Sequence, residues 1–360
     1  MPDHPDIIWE IPLDRSGLGG IAATETRIVF GDRDVDDFHD VWRCLNAETG
    51  EEIWHVDRLA IGALDYGNSP RTSPLIDGDR VYCLGAHGDL LCVSMADGSV
   101  AWEMNLREKF RATGELPWGY CGSPLLVNGR LVVNPGASDA SLVGLNAKTG
   151  AVEWKCPGAP PSYGSFRLMQ FGDHQQIVGH DKTTLGGWNA ETGKRLWTVT
   201  PGRDGDFNVP TADQHMGRLL IATENNGARL YNFNGDGRIK PEPSATNDRL
   251  RPDMSSGVVV NDRFYCVNRF LYCLDLNDNL NELWRIRDSS LADYGSIIAS
   301  GERVLVVGKG KLLLLKADGT QSIISATRVF EENLPLYSHP AIAGDRLYIR
   351  GETSIRAIQL

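Results

Sequence analysis

The pattern nearest to a metal site in this 360-residue chain is Asn232-Phe233-Asn234-Gly235-Asp236-Gly237-Arg238-Ile239. Asn232, Asn234 and Asp236 put side-chain oxygens at positions 1, 3 and 5, with glycine at 6 and an aliphatic residue at 8, as a calcium loop does. Two positions depart from that loop: the first is Asn instead of Asp, and the twelfth is Pro243 where a bidentate Glu is required, although Glu242 stands beside it. A tight turn between strands needs the same Asn and Gly, so calcium and a plain hairpin are both open here. A second set of residues is an aromatic followed by a small residue: Tyr66-Gly67 upstream of Arg71, Trp118-Gly119-Tyr120-Cys121, Tyr163-Gly164 upstream of Arg167, Tyr294-Gly295, and Tyr337-Ser338-His339. Aromatic faces interleaved with arginine and histidine suit a flat or anionic ligand, and repeated aromatics also serve to seal a funnel. Asp65, Asp206 and Asp253 lie close by, but nothing in the pattern marks any of them as a base. The histidines never pair at ligand spacing, and no nucleophile elbow or phosphate loop occurs.

Composition narrows the class. Hydrophobic residues make up 41% and charged residues 23%, ordinary globular values. The net charge of −11 gives no basic field to gather nucleic acid or anionic lipid. No run approaches the roughly 20 apolar residues of a membrane span. Met1 to Pro12 lacks the basic start and apolar stretch of a signal peptide, so an exported form would have a leader absent from this chain. Seven scattered cysteines form no CxxC and no adjacent pair. Cys83 with Cys92, and Cys266 with Cys273, flank hairpin turns and could bridge in an oxidising compartment, but the reading favoured here is buried free thiols, because free Cys packs like a small hydrophobe.

What must position the candidate residues is a repeat. LNAETGEEIW, SMADGSVAW, LNAKTGAVEW and WNAETGKRLW each put glycine four residues before Trp54, Trp102, Trp154 and Trp197. Weaker copies end at Ile239, Trp284 and Ile323. Upstream of each lies a short small-residue strand, a polar turn and a β-rich run such as SPLIDGDRVYCLG or SGVVVNDRFYCVN. Each unit therefore predicts four antiparallel strands, and a period of about 45 residues is that of a propeller blade. The last unit lacks its outer strand, and IIWEIPL with Trp9 supplies it. The expectation is an all-β, eight-bladed β-propeller in one domain over residues 1–360, closed by the N-terminal strand completing the last blade.

The D/T-G-x-x-x-W repeat resembles that of the pyrroloquinoline-quinone (PQQ) propeller superfamily, which includes quinoprotein alcohol dehydrogenases and BamB-like outer-membrane assembly factors. The resemblance implies that Trp9, Trp54, Trp102, Trp154, Trp197 and Trp284 dock between neighbouring blades. For a true quinoprotein it also implies a vicinal disulfide, a bound Ca²⁺, a catalytic Asp and a Trp beneath the cofactor. Adjacent cysteines are absent and no residue maps as the base. The reading is thus a non-catalytic platform, monomeric and without cofactor, that binds protein, peptide or saccharide at the channel mouth. The mouth candidates are Arg71, Trp118, Tyr120, Tyr163, Arg167, Tyr294, Tyr337 and His339. One rival is a PQQ-dependent oxidoreductase with Ca²⁺, in which Arg71, Arg167 and Trp118 grip the quinone. A BamB-like assembly factor is another. The resemblance implies an extracytoplasmic setting, with the cytoplasm as alternative. Two long polar loops, Arg107 to Trp118 and Pro241 to Asp253, are expected to contact partners.

Overall fold

The computed structural model describes residues 5–331, 334 and 336–360. The described residues form eight four-stranded antiparallel sheets, and the fold is an eight-bladed β-propeller. Blades one to seven span residues 21–59, 75–105, 125–156, 167–199, 213–247, 258–286 and 296–328. Blade eight combines three strands of residues 341–359 with the first strand of the chain, Ile7–Pro12, which pairs with Ser354–Gln359. The chain divides into two compact units, Pro5–Pro161 with Leu336–Leu360, and Ser162–Pro335. Blades eight, one, two and three belong to the former and blades four to seven to the latter.

The repeat motif explains each outer hairpin. In NAETG the Asn46 side chain accepts from the backbone N–H groups of Glu48 and Thr49 at 2.8 and 3.1 Å, closing the turn locally. Asn146 and Asn189 do the same in blades three and four. Glycine follows because the next residue is left-handed, with φ of 76° at Gly50. A second constraint is steric: a Cβ on Gly50 would lie 2.8 Å from the Trp9 ring, and one on Gly98 2.9 Å from Trp54. The Gly and Trp that sit four residues apart in sequence therefore serve different contacts. Trp9, Trp54 and Trp102 lie on the glycine of the following blade, and each Nε1 donates to a carbonyl there, Trp9 to Ala47 at 3.2 Å, Trp54 to Met95 at 2.9 Å and Trp102 to Ala147 at 3.0 Å; Trp284 donates to the Gly319 carbonyl at 2.7 Å, although Arg263 covers that glycine. Trp197 differs, reaching the next blade through a relay. It donates to Gln176 Oε1 at 2.6 Å, and Gln176 donates to the Gly237 carbonyl at 2.6 Å. Trp154 lies against Gly144 of its own blade.

The inner strands are stitched by hydroxyls that recur at one position of the repeat. Ser73 N–H donates to Ser123 Oγ, Ser165 N–H to Thr211 Oγ1, and Thr211 N–H to Ser256 Oγ, at 3.0 to 3.3 Å. Between blades eight and one, Ile21 N–H donates to the His339 carbonyl and Ser338 Oγ to that of Gly19. A buried ion pair reinforces that junction. Arg350 Nη2 lies 2.8 Å from Asp32 Oδ1, and the guanidinium rests over Phe30 at 5.5 Å with Gly17 against its other side.

Two expectations are corrected, and the reading of the cysteines as free thiols holds. Ile239 is not on the outer strand of blade five: Asn232–Ile239 closes its own small hairpin through a Phe233–Ile239 bridge, and Ala245–Asn247 completes the sheet. Pro241 and Pro243, which have no N–H to give a ladder, separate the two. The loop from Arg107 begins as a short helix, Leu106–Phe110, capped by Asn105, with Leu106 and Phe110 buried. The paired cysteines face opposite ways: Cys83 pairs with Leu91 and Cys92 with Tyr82, one register step apart, which places their side chains on opposite faces of the sheet. The same holds for Cys266 and Cys273. All seven thiols are free, and burial pushes those of Cys44 and Cys121 up to about 12.

Candidate functional site

Loops entering the inner strands of blades eight, two and three bring three aromatics together. The rings of Tyr66 and Trp118 lie 6.4 Å apart and those of Tyr66 and Tyr337 6.3 Å apart, both edge-to-face. Tyr66 reaches across blade one, whose equivalent loop, Ser16-Gly17-Leu18-Gly19-Gly20, carries no aromatic. Its backbone is left-handed, with φ of 67°, and the side chain is 67% exposed. Non-glycine residues adopt this conformation at a cost of about 1 kcal/mol or more. The loops beneath are tied together. Asp65 N–H donates to the Pro117 carbonyl at 2.9 Å, and Tyr120 N–H to that of Ala86 at 2.9 Å.

Under the aromatics sits a charged network that no sequence pattern announced. Arg33 is 1% exposed and fully engaged: Nε to Asp37 Oδ1 at 2.8 Å, Nη1 to Asp40 Oδ1 at 2.7 Å, Nη2 to the carbonyls of Asp37 and Ala60. Asn68, in the Tyr66 loop, donates to the second oxygen of Asp37 at 2.9 Å. The network thus fixes the Tyr66 loop to the hairpin of blade one. Burial pushes the Asp40 carboxyl up to about 7, against the pull of Arg33. The only local hint was a strand tip dense in charge, Arg33-Asp34-Val35-Asp36-Asp37, which reads equally as a solvated turn.

The other candidates are placed differently. Arg71 turns back on its own loop, donating to the carbonyls of Asp65, Gly67 and Ser69 at 2.5, 2.8 and 3.0 Å. Tyr120 is buried and donates to the Pro135 carbonyl at 2.9 Å. His339 is half-buried, and burial lowers its pKa. In the other unit, Tyr294 is buried with its hydroxyl 3.2 Å from Ser296 Oγ, and Arg167 is paired with Asp213 at 2.6 Å. Tyr163 is half-buried at the entry to blade four. The calcium-like segment is a turn: Asp236 Oδ1 accepts from Arg238 N–H at 3.1 Å, and the backbones of Asn232 and Asn234 close the hairpin. No cluster of three His, Cys, Asp or Glu that could hold a metal ion occurs among the described residues.

A family model described as outer membrane protein assembly factor BamB matches residues 37–278, more than half of the chain. The chain belongs to that family. This BamB-family propeller is also 25% identical over 205 residues to the glycerol dehydrogenase large subunit of Gluconobacter oxydans, a stretch covering 47% of this chain and 26% of that protein. The chain therefore spans about a quarter of that relative's length. Among solved structures, BamB from Moraxella catarrhalis superposes with a TM-score of 0.64 at 15% identity, covering 99% of this chain and 97% of that one. The quinohemoprotein alcohol dehydrogenase of Comamonas testosteroni gives 0.65 at 12% identity, covering 99% and 76%. The computationally designed Ika8 protein gives 0.69 at 10% identity, covering 99% and 100%. A backbone shared by an assembly factor, an oxidoreductase and a design establishes the fold alone. No helix among the described residues is long and apolar enough to cross a membrane.

Proposed function

We propose that this propeller is a non-catalytic binding platform whose mouth, formed by Tyr66, Trp118 and Tyr337, takes a peptide segment of a protein partner outside the cytoplasm. The observation that carries the proposal is Tyr66: a strained, well-exposed aromatic held between two others by a loop anchored through Asn68 to Asp37. Rigid aromatics offer contact area at low entropic cost, which is how binding surfaces use them. The family's description as an assembly factor supports a polypeptide over a small substrate.

The likeness to a glycerol dehydrogenase subunit supports a second reading, a PQQ-dependent oxidoreductase. The residues at this mouth do not fit a calcium-bound quinone. Arg71 is engaged by three main-chain carbonyls, and no group of three His, Cys, Asp or Glu side chains that could hold a metal ion occurs among the described residues. No chemical step is derived through that group.

Selection of phage-displayed random peptides on the immobilised protein tests the platform. Enriched peptides that lose at least tenfold in affinity with Tyr66→Ala or Trp118→Ala, but not with the distant Lys148→Ala, support it. Enrichment indifferent to both aromatics refutes the peptide mouth. Saturable one-to-one binding of PQQ with Ca²⁺ in a calorimeter, abolished by Trp118→Ala, favours the oxidoreductase.

A further inference from the structure

The chain is acidic overall, yet the fold gathers five arginines along the outer edge of blade six and the loop before it: Arg249, Arg251, Arg269, Arg285 and Arg287. They are linked residue by residue. Arg249 and Arg285 flank Glu282 at 3.9 and 3.7 Å, and the Arg285 guanidinium lies 5.1 Å over the Phe270 ring. Arg269 precedes Phe270 at the tip of the tight turn between Asn268 and Phe270, in a left-handed conformation with φ of 57°. The Asn268 side chain donates to the Arg251 carbonyl, which ties the preceding loop to the same tip.

The outer strand, Asn281–Ile286, exposes part of this charge. Leu283 sits at a bulge in the pairing with the neighbouring strand, Arg285 shares a side with Glu282, and Arg287 follows the strand's last residue; Leu283, Arg285 and Arg287 are all exposed. An edge strand also has main-chain donors and acceptors unused by its own sheet.

These guanidiniums differ from the tightly paired arginines of the other blades. Arg43, Arg130, Arg167 and Arg195 hold carboxylates at 2.6 to 2.7 Å. Among the described residues, Arg249, Arg251 and Arg285 stand 3.7 to 3.9 Å from their nearest acids, longer than a carboxylate hydrogen bond. Unsaturated guanidiniums beside an aromatic and an exposed leucine are suited to fork-like recognition of carboxylates.

We propose that this edge of blade six docks an extended, acidic segment of a partner protein, rich in Asp and Glu with an apolar residue to meet Leu283. Charge decides the occupant. A second copy of the chain, at −11, repels except where it presents an acidic segment, and a stripe about 17 Å long on an acidic chain suits a short acidic segment better than a long polyanion such as nucleic acid. The site lies in a different unit from the aromatic mouth, so its failure leaves the mouth untouched.

The test is fluorescence anisotropy with a labelled twelve-residue peptide alternating Glu and Ala, against a Lys/Ala control and labelled (dT)12, at low and at physiological salt. The expected result is saturable binding of the Glu peptide alone, weakened at least tenfold by Arg285→Glu/Arg287→Glu and weakened by salt. Lys194→Glu, an exposed charge on blade four, should leave it unchanged. Because Arg285 also meets Phe270 and Glu282, a second variant, Arg269→Glu/Arg287→Glu, leaves those contacts in place and should weaken binding at an unchanged melting temperature, which separates lost binding from lost fold. No saturable Glu-peptide binding at low salt, equal binding by either double variant, or preference for (dT)12 would each overturn the proposal.

Discussion

The junction between blades eight and one should depend on the Arg350–Asp32 pair far more than a surface ion pair would allow. Their side chains are 0% and 2% exposed and 2.8 Å apart, and the guanidinium also donates to the carbonyls of Gly31 and Arg15. Asp32→Ala leaves a guanidinium in the interior with its countercharge gone, a loss expected to be about 3–5 kcal/mol. With a urea m-value of about 2 kcal/mol/M, the transition of the unit containing blades eight, one, two and three should move down by about 2 M. Arg350→Met combined with Asp32→Leu removes both charges and should recover most of that loss, because well-packed apolar replacements often match a buried pair. Urea unfolding followed by tryptophan fluorescence across the single and double variants yields the coupling energy. A loss below about 1 kcal/mol for Asp32→Ala, or a double variant whose loss equals the sum of the singles, would refute the argument that desolvation makes this pair matter.

Glycine positions that look alike in sequence should respond differently. Gly98→Ala must displace the Trp54 ring from 2.9 Å and should cost about 2–4 kcal/mol, whereas Gly129→Ala, equally left-handed but open, should cost about 1 kcal/mol; thermal melts compare the two. His180 is buried neutral with its pKa pushed down to about 3, mainly by burial and by Arg229. Unfolding lets it charge, so stability should fall as pH drops from about 6.5 towards 3, by up to about 4–5 kcal/mol, and His180→Gln should flatten that part of a pH–stability curve. Asp40 shifts the opposite way: with a folded pKa of about 7, its contribution is complete below about pH 4 and lost as pH rises to 7. Asp40→Asn should remove that slope, and a slope unchanged in the variant would assign it elsewhere.

Much of the architecture was legible because a repeat states its local chemistry several times over. Asn-Ala-x-Thr-Gly encodes an Asx turn and a left-handed glycine, while the Trp at fixed spacing meets the next blade's glycine at Trp9, Trp54 and Trp102 but not at Trp154. Blade five shows where this runs out: Asn-Gly-Asp-Gly-Arg-Ile imitates the motif, but the hairpin closes on itself and the outer strand forms after the prolines. Cysteine pairing was undecidable from hairpin position, since a single register step sets the face each thiol occupies.

The sequence by itself determined the blade count, the four-stranded unit and the closing strand, because these follow from periodicity and turn chemistry carried within some 45 residues. Tertiary structure alone decided which aromatics meet. Tyr66, Trp118 and Tyr337 come from three separate blades, while Tyr120 and Tyr294, equivalent by pattern, are buried. It alone also placed Arg33 over Asp40, Arg350 on Asp32 and five arginines along one edge of an acidic chain. Such contacts join residues far apart in the chain, and their energy depends on burial, a property of the folded surface that no local spacing records.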